Sequence, residues 1–184
     1  MVGNARRRTV MKIEYVKGDF IDGPETFIVH GCNAQGVQGR GAALAIKTRL
    51  PYAFKQYRSA YEVAGLPLGS IVWAVDDAED NPNPKVVGNM ITQDQWHPSY
   101  GRNVDYEAVR NGFKLLNEQM QDHRENIGFI NRAGTVVDPY DHDYFERVGM
   151  VKIGAGLGGG DWEIIEKIIE EESTSFIPVV YLLD

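Results

Sequence analysis

The chain has 184 residues, 19 Lys and Arg against 26 Asp and Glu, and a formal net charge of −7. That length suits one α/β-sized unit rather than two full domains, and a 43% hydrophobic, 24% charged composition excludes a disordered chain. The acidic balance excludes general nucleic-acid binding through a basic field, the single Cys32 excludes an intrachain disulfide, and no apolar run approaches the roughly 18–20 residues of a membrane span.

Residues 1–10 carry Arg6, Arg7 and Arg8 and lack the apolar core of a secretory leader, so they read as a disordered or extra N-terminal extension ahead of a domain at 11–184. A cytoplasmic location without a membrane partner is the matching expectation. Residues 11–16 (MKIEYV) and 26–30 (TFIVH) predict short strands, the second of the buried, mostly apolar type. Helices follow over 41–49 and 51–64, the second opened by Pro51 and stopped at Gly65. Residues 70–75 (SIVWAV) predict a strand, 76–84 (DDAEDNPNP) a turn, and 85–92 the partner strand. In 105–123, Val109, Phe113, Leu116 and Met120 recur at helical spacing. Residues 128–130 start a strand, and 131–147, polar and rich in Asp and Tyr, predict a long loop or insertion. A strand over 148–153, a helix over 161–172 and a strand over 176–183 complete the chain. Strands alternating with helices predict a single α/β unit whose largely parallel sheet is covered on both faces.

Glycine is the outlier of the composition: 20 of 184 residues, about 11% against a usual value of about 7%. Two glycine-rich stretches lie at strand-to-helix junctions. The first follows the strand ending at His30 and contains Gly36, Val37, Gln38, Gly39, Arg40 and Gly41. The second runs Gly154, Ala155, Gly156, Leu157, Gly158, Gly159, Gly160 and ends on Asp161. Glycines let backbone approach a ligand closely, and the helix that follows offers unpaired N–H groups to an anion. The first stretch is not a Walker A loop, since no Gly-Lys-Ser/Thr closes it, and it does not match a dinucleotide fingerprint in the right register. Two such loops at the C-terminal ends of parallel strands face one crevice, where open α/β sheets bind ligands. A ligand with two phosphates fits that pair, in a small neutral-walled pocket.

Gly18-Asp19-Phe20-Ile21, then residues 30–43, then residues 153–162, in that order, resemble the macro domain, the ADP-ribose-binding fold. Ile91-Thr92-Gln93 followed by Tyr106-Glu107 resembles the branch containing ADP-ribose 1''-phosphate phosphatase and the terminal ADP-ribose protein glycohydrolase. The resemblance implies a three-layer α/β/α macro domain with a mixed, mostly parallel central sheet. It implies ADP-ribose, or a phosphorylated or conjugated derivative, as the partner, with no cofactor and no metal. It implies that Asp19 accepts from the adenine amino group beside the Phe20 backbone, and that Asn33 bonds the distal ribose. Gly36, Val37, Gln38, Gly39 and Gly41 wrap that ribose and the adjoining phosphate, Gln93 lies on the same ligand, and residues 154–160 bind the diphosphate. From the residues alone, Asp19 is a turn residue and Asn33 the anchor of an Asx-turn.

The glycohydrolase relatives place a Lys after the Ile-Thr strand and an Asp in the second loop, where this chain has Gln93 and Gly158. Neither forms the same covalent sugar intermediate or supplies the same acid. Phosphate removal from ADP-ribose 1''-phosphate needs donors for the developing charge and a group for proton transfer. Candidates for that transfer are His30, His97 and Asp161, with the His142/Asp143 pair behind them. Each also has a structural role open to it: His30 as a hydrogen-bonded strand-end residue, His97 as a surface residue, Asp161 as a helix N-cap. The function implied is a hydrolase acting on ADP-ribose 1''-phosphate or an ADP-ribosyl derivative; the alternative is a non-catalytic ADP-ribose-binding module. The 138–144 stretch has no metal-ligand spacing and reads as a solvated polar loop. Cys32 reads as a small buried residue.

Overall fold

The central strand of the molecule runs further than its apolar sequence does. In the computed structural model, which describes residues 10–76, 78, 81–96, 102–126, 129–130, 136–137 and 146–183, β2 spans Phe27–Asn33 and continues through His30, Gly31 and Cys32. It is held on both sides: by β7 (Glu146–Met150) through Phe27, Ile28 and Val29, and by β4 (Val86–Gln93) along its whole length, with a bulge between Cys32 and Asn33. Beyond Val29 the ladder with β4 alone carries the backbone of His30, Gly31, Cys32 and Asn33, so sequence polarity does not end the strand.

With β1 (Glu14–Lys17), β3 (Ile71–Val75) and β8 (Phe176–Leu182), these strands form a six-stranded sheet in the order β1-β8-β7-β2-β4-β3. All neighbours are parallel except β3 and β4, which pair antiparallel across the acidic turn as the sequence predicts. The β1 ladder begins at Glu14 opposite Val179, so the predicted start at residue 11 is three residues early. The position before it in this register faces Pro178, which has no N–H to give. At β7 the ladder ends at Met150, where pairing with Val29 and Val180 stops. Residues 151–153, predicted as strand, instead leave the sheet. Within the predicted loop 131–147, Val136–Val137 pairs as β6 with β5 (Phe129–Ile130) in a separate two-stranded ladder.

The helices divide between the faces as strand alternation dictates. On one face α3 (Tyr106–Asn126) and α4 (Trp162–Glu172) bury Val109, Phe113, Leu116, Met120, Ile165, Ile168 and Ile169 against Val29, Met150 and Val180. On the other, α1 (Gly41–Arg49) and α2 (Pro51–Ala64) bring Ile46, Ala53 and Tyr57 against the sheet, Ile46 and Ala53 packing with Ile28, Val87 and Val179 and Tyr57 with Cys32 and Ile91. Successive residues Ile28 and Val29, and Val179 and Val180, thus feed opposite layers. Phe113 is fully buried, and Phe113→Ala is expected to lower the unfolding free energy by about 3–5 kcal/mol, read as a shifted urea midpoint at unchanged slope.

Candidate functional site

Because five strands are parallel, their C-terminal ends gather at one edge of the sheet, and the chain leaving each end contributes to one cavity of about 810 Å³. Gly18, Asp19 and Phe20 come from the end of β1, and Tyr181, Leu182 and Leu183 from β8. Gly31, Cys32, Asn33, Val37 and residues 39–43 come from β2 and the start of α1. Gln93 and Trp96 follow β4, and residues 151–158 follow β7. β2 and β7 are sheet neighbours, so the two glycine loops stand side by side.

The wall between them is built from backbone donors. Arg40, the N-cap of α1, makes no side-chain capping bond, and the first turn holds no acidic residue. The first helical bond is donated by the Leu44 N–H to the Arg40 carbonyl at 3.2 Å, leaving the N–H groups of Gly41, Ala42 and Ala43 without partners among the described residues. In the second loop, the Ala155, Gly159 and Gly160 amides bond to Lys152, Gly156 and Gly154 carbonyls. Among the described residues the N–H groups of Gly156, Leu157 and Gly158 have no partner, and like those of Gly41, Ala42 and Ala43 they belong to cavity-lining residues.

The glycines separate by what a side chain would meet. At Gly39 and Gly156 a Cβ would enter open space, whereas at Gly158 it would stand 2.6 Å from the Gly154 carbonyl oxygen and at Gly31 2.8 Å from Thr92 Oγ1. Gly154 adopts φ +73° where the chain turns back on itself, a conformation costly for other residues. Gly154, Gly158 and Gly31 are therefore required by the fold; Gly39 and Gly156 are not.

Asn33 shapes the first loop while lining the cavity. Its Nδ2 donates to the Val37 carbonyl at 2.6 Å, and its Oδ1 accepts from the Gln35 and Val37 amides at 3.0 and 3.3 Å. Asp19 accepts from the Ile21 amide at 2.9 Å and from Arg49 Nη1 at 2.8 Å. Gln93 lines the cavity with its Nε2 bonded to the Gln95 carbonyl at 2.7 Å.

Several predicted site residues lie elsewhere. The His30 side chain is fully buried, its Nε2 2.9 Å from Asn89 Oδ1, and burial pushes its pKa down to about 4, so it is a neutral core residue rather than a proton donor at the cavity. Cys32 Sγ stands 3.6–3.7 Å from the His30 ring nitrogens, a pairing the sequence does not reveal, but burial pushes the thiol far up and no thiolate forms. Gln38 is turned into the core, donating from Nε2 to Asn89 Oδ1 at 2.9 Å and to Cys32 Sγ at 3.5 Å. Gly36 packs against Tyr61. Asp161 caps α4, its Oδ1 accepting from the Glu163 amide at 2.9 Å, and neither it nor Gly159 and Gly160 reach the cavity wall. His97, His142 and Asp143 lie outside the described residues, as do residues 1–9. Among the described residues no group of three His, Cys, Asp or Glu is placed to hold a metal ion, and no helix is long and apolar enough to cross a membrane.

The wall is not neutral: Arg40 and Lys152, which sequence reasoning passes over, both line it. So do the Tyr181, Leu182 and Leu183 residues at the end of β8. The signal for these was topological, since any segment leaving a parallel strand at its C-terminal end faces the crevice.

No family model matches the chain. It is 26% identical over 160 residues to the DNA ADP-ribosyl glycohydrolase of Thermus aquaticus, covering 86% of this chain and 37% of that protein. The chain thus spans well under half the length of that relative. It is 24% identical over 180 residues to the ADP-ribose 1''-phosphate phosphatase of Saccharomyces cerevisiae, covering 93% of this chain and 98% of the phosphatase. The macrodomain of Mycobacterium tuberculosis DarG superposes with a TM-score of 0.69 at 24% identity, covering 93% of this chain and 97% of that one. The chain has the macrodomain fold. Its three layers, mixed sheet and two side-by-side glycine loops follow that fold.

The buried His30 gives a pH dependence of defined sign. Its folded pKa of about 4 lies below the unfolded value of 6.5, so its contribution to stability is full above pH 6.5 and is lost as the pH falls towards 4. The loss through this group is about 3 kcal/mol at pH 4. Imidazole NMR should show His30 titrating near 4; a midpoint near 6.5 would contradict its burial.

Proposed function

We propose that this macrodomain binds ADP-ribose, or a phosphorylated or conjugated derivative, in the 810 Å³ cavity and removes phosphate from ADP-ribose 1''-phosphate. The observation that carries the reading is the double set of amides, at Gly41, Ala42 and Ala43 and at Gly156, Leu157 and Gly158, unpartnered among the described residues and belonging to residues that line one cavity. Such a surface suits the distributed negative charge of a diphosphate. The names of the relatives, a phosphatase of ADP-ribose 1''-phosphate and a glycohydrolase of ADP-ribosylated DNA, share the ADP-ribosyl group and hydrolysis.

In this reading Asp19 accepts from the adenine amino group with Phe20 beside the base. The amides of residues 156–158 and 41–43 hold the diphosphate, and Asn33, Val37 and Gly39 enclose the distal ribose. The same amides stabilise charge that develops on a transferring phosphoryl group. Proton transfer falls to His97, which follows the cavity-lining Trp96 in sequence. Covalent deribosylation through position 93 is disfavoured, because Gln93 has a carboxamide and no amine nucleophile. The second reading, binding without chemistry, is favoured by the displacement of His30 and Asp161 from the cavity wall.

Calorimetry with ADP-ribose and phosphate release from ADP-ribose 1''-phosphate separate these outcomes. Binding with turnover is expected, and His97→Ala should lower kcat by about 10²–10⁴-fold. Binding with no turnover would leave the module reading; no binding of either ligand would overturn both. A further check uses Gly156, where a Cβ meets open space. Gly156→Val should weaken ADP-ribose at least about hundredfold with an unchanged melting temperature, because the added methyls occupy ligand space. Unchanged affinity would remove the second loop from the diphosphate site.

A further inference from the structure

We propose that Arg40 is a specificity-determining residue that favours ligands carrying a phosphomonoester beyond the diphosphate of ADP-ribose. The inference rests on the ADP-ribose reading above and adds to it the residue that selects the phosphorylated ligand.

The other described arginines are all engaged within the protein. In a chain of net charge −7, Arg49, Arg58, Arg110 and Arg147 are each in an ion pair, Arg102 lies over the Tyr106 ring, and Arg124 is also engaged. Among the described residues, Arg40 is the arginine whose guanidinium has no hydrogen bond, ion pair or ring contact, and it lines the cavity. Carboxylates are abundant in this protein, so leaving one guanidinium unpaired at the cavity wall keeps its donors available to a ligand. Lys152, the other cation on the wall, already sits 5.4 Å from the centroid of the Trp162 ring.

The diphosphate does not require that charge. The unpartnered amides of residues 41–43 and 156–158 already outnumber its non-bridging oxygens. A phosphomonoester adds up to about two further negative charges near neutral pH, and a planar guanidinium fork binds such a dianion with charge-assisted, paired hydrogen bonds. Asp19, the carboxylate on the same wall, is paired with Arg49, which reduces its repulsion of a more highly charged ligand.

The test compares ADP-ribose with ADP-ribose 1''-phosphate on wild type, Arg40→Ala and Arg40→Lys, using calorimetry, or KM from initial phosphate release where the ligand turns over. Arg40→Ala is expected to weaken ADP-ribose 1''-phosphate about tenfold while changing ADP-ribose by less than about threefold. Arg40→Lys should retain part of the preference, and the preference should shrink as salt is raised. Because the side chain is exposed and unpaired, melting temperatures should match wild type. Equal losses for both ligands would assign Arg40 to the diphosphate and overturn the proposal, as would no loss for either. A wild type that binds neither ligand would overturn the ADP-ribose reading itself, and this inference with it.

Discussion

The side-chain amide of Asn89 ties together the elements that define the cavity floor. Fully buried on β4, it accepts from His30 on β2 and from Gln38 in the first loop, both at 2.9 Å. Its Nδ2 donates to the Val72 carbonyl on β3 at 3.0 Å and towards the Ala53 carbonyl on α2 at 3.4 Å. In a low-dielectric interior each of these groups would be costly unpaired, so the network tolerates one arrangement and few others. That arrangement turns Gln38 inwards and leaves Val37 and Gly39 on the cavity side. Asn33 fixes the same loop from its other end through Val37, and the Tyr57 hydroxyl donates to the Asn33 carbonyl at 2.6 Å. The first loop is glycine-rich in sequence but pinned at both ends by buried amides, which limits the entropy lost when a ligand orders it.

Unpartnered backbone amides reconcile the acidic balance of the chain with the proposed anion site. Backbone dipoles carry no net charge and need no compensating carboxylates, so the domain keeps its negative balance while exposing donors at one edge of the sheet. Cationic side chains are then needed only where ligand charge exceeds what the amides serve. Arg40 stands at that margin, one residue before the unpartnered N–H groups of α1.

The fold was largely legible because its signals were periodic: apolar spacing in α3, alternating strands and helices, and the acidic turn between β3 and β4. The departures have local causes. β2 outruns its apolar stretch because pairing with β4 and a buried amide satisfy His30 and its neighbours, and β7 falls short because the chain leaves both ladders after Met150 while β2 and β8 run on against β4 and β1. At the site, sequence located both glycine loops but could not say which members face inwards. Gln38 differs from Val37 and Gly39 only by where Asn89 stands, a partner 51 residues away. His30 looked placed for chemistry for the same reason: its position at a strand end is visible in sequence, its hydrogen-bond partner is not.

The glycines show the distinction most directly. Five of them crowd residues 154–160, and composition alone assigns all five to a ligand. Yet a Cβ at Gly158 or Gly160 would collide with the Gly154 carbonyl, while one at Gly156 would not touch the protein at all. The first group lets the loop fold back on itself, and the fold-back leaves the 156–158 amides without internal partners. Gly156 has no such structural duty, and its lack of a side chain matters only when something occupies the cavity. A residue whose smallness the protein does not need, beside donors the protein does not use, ties the second loop to the proposed diphosphate more directly than the count of glycines does.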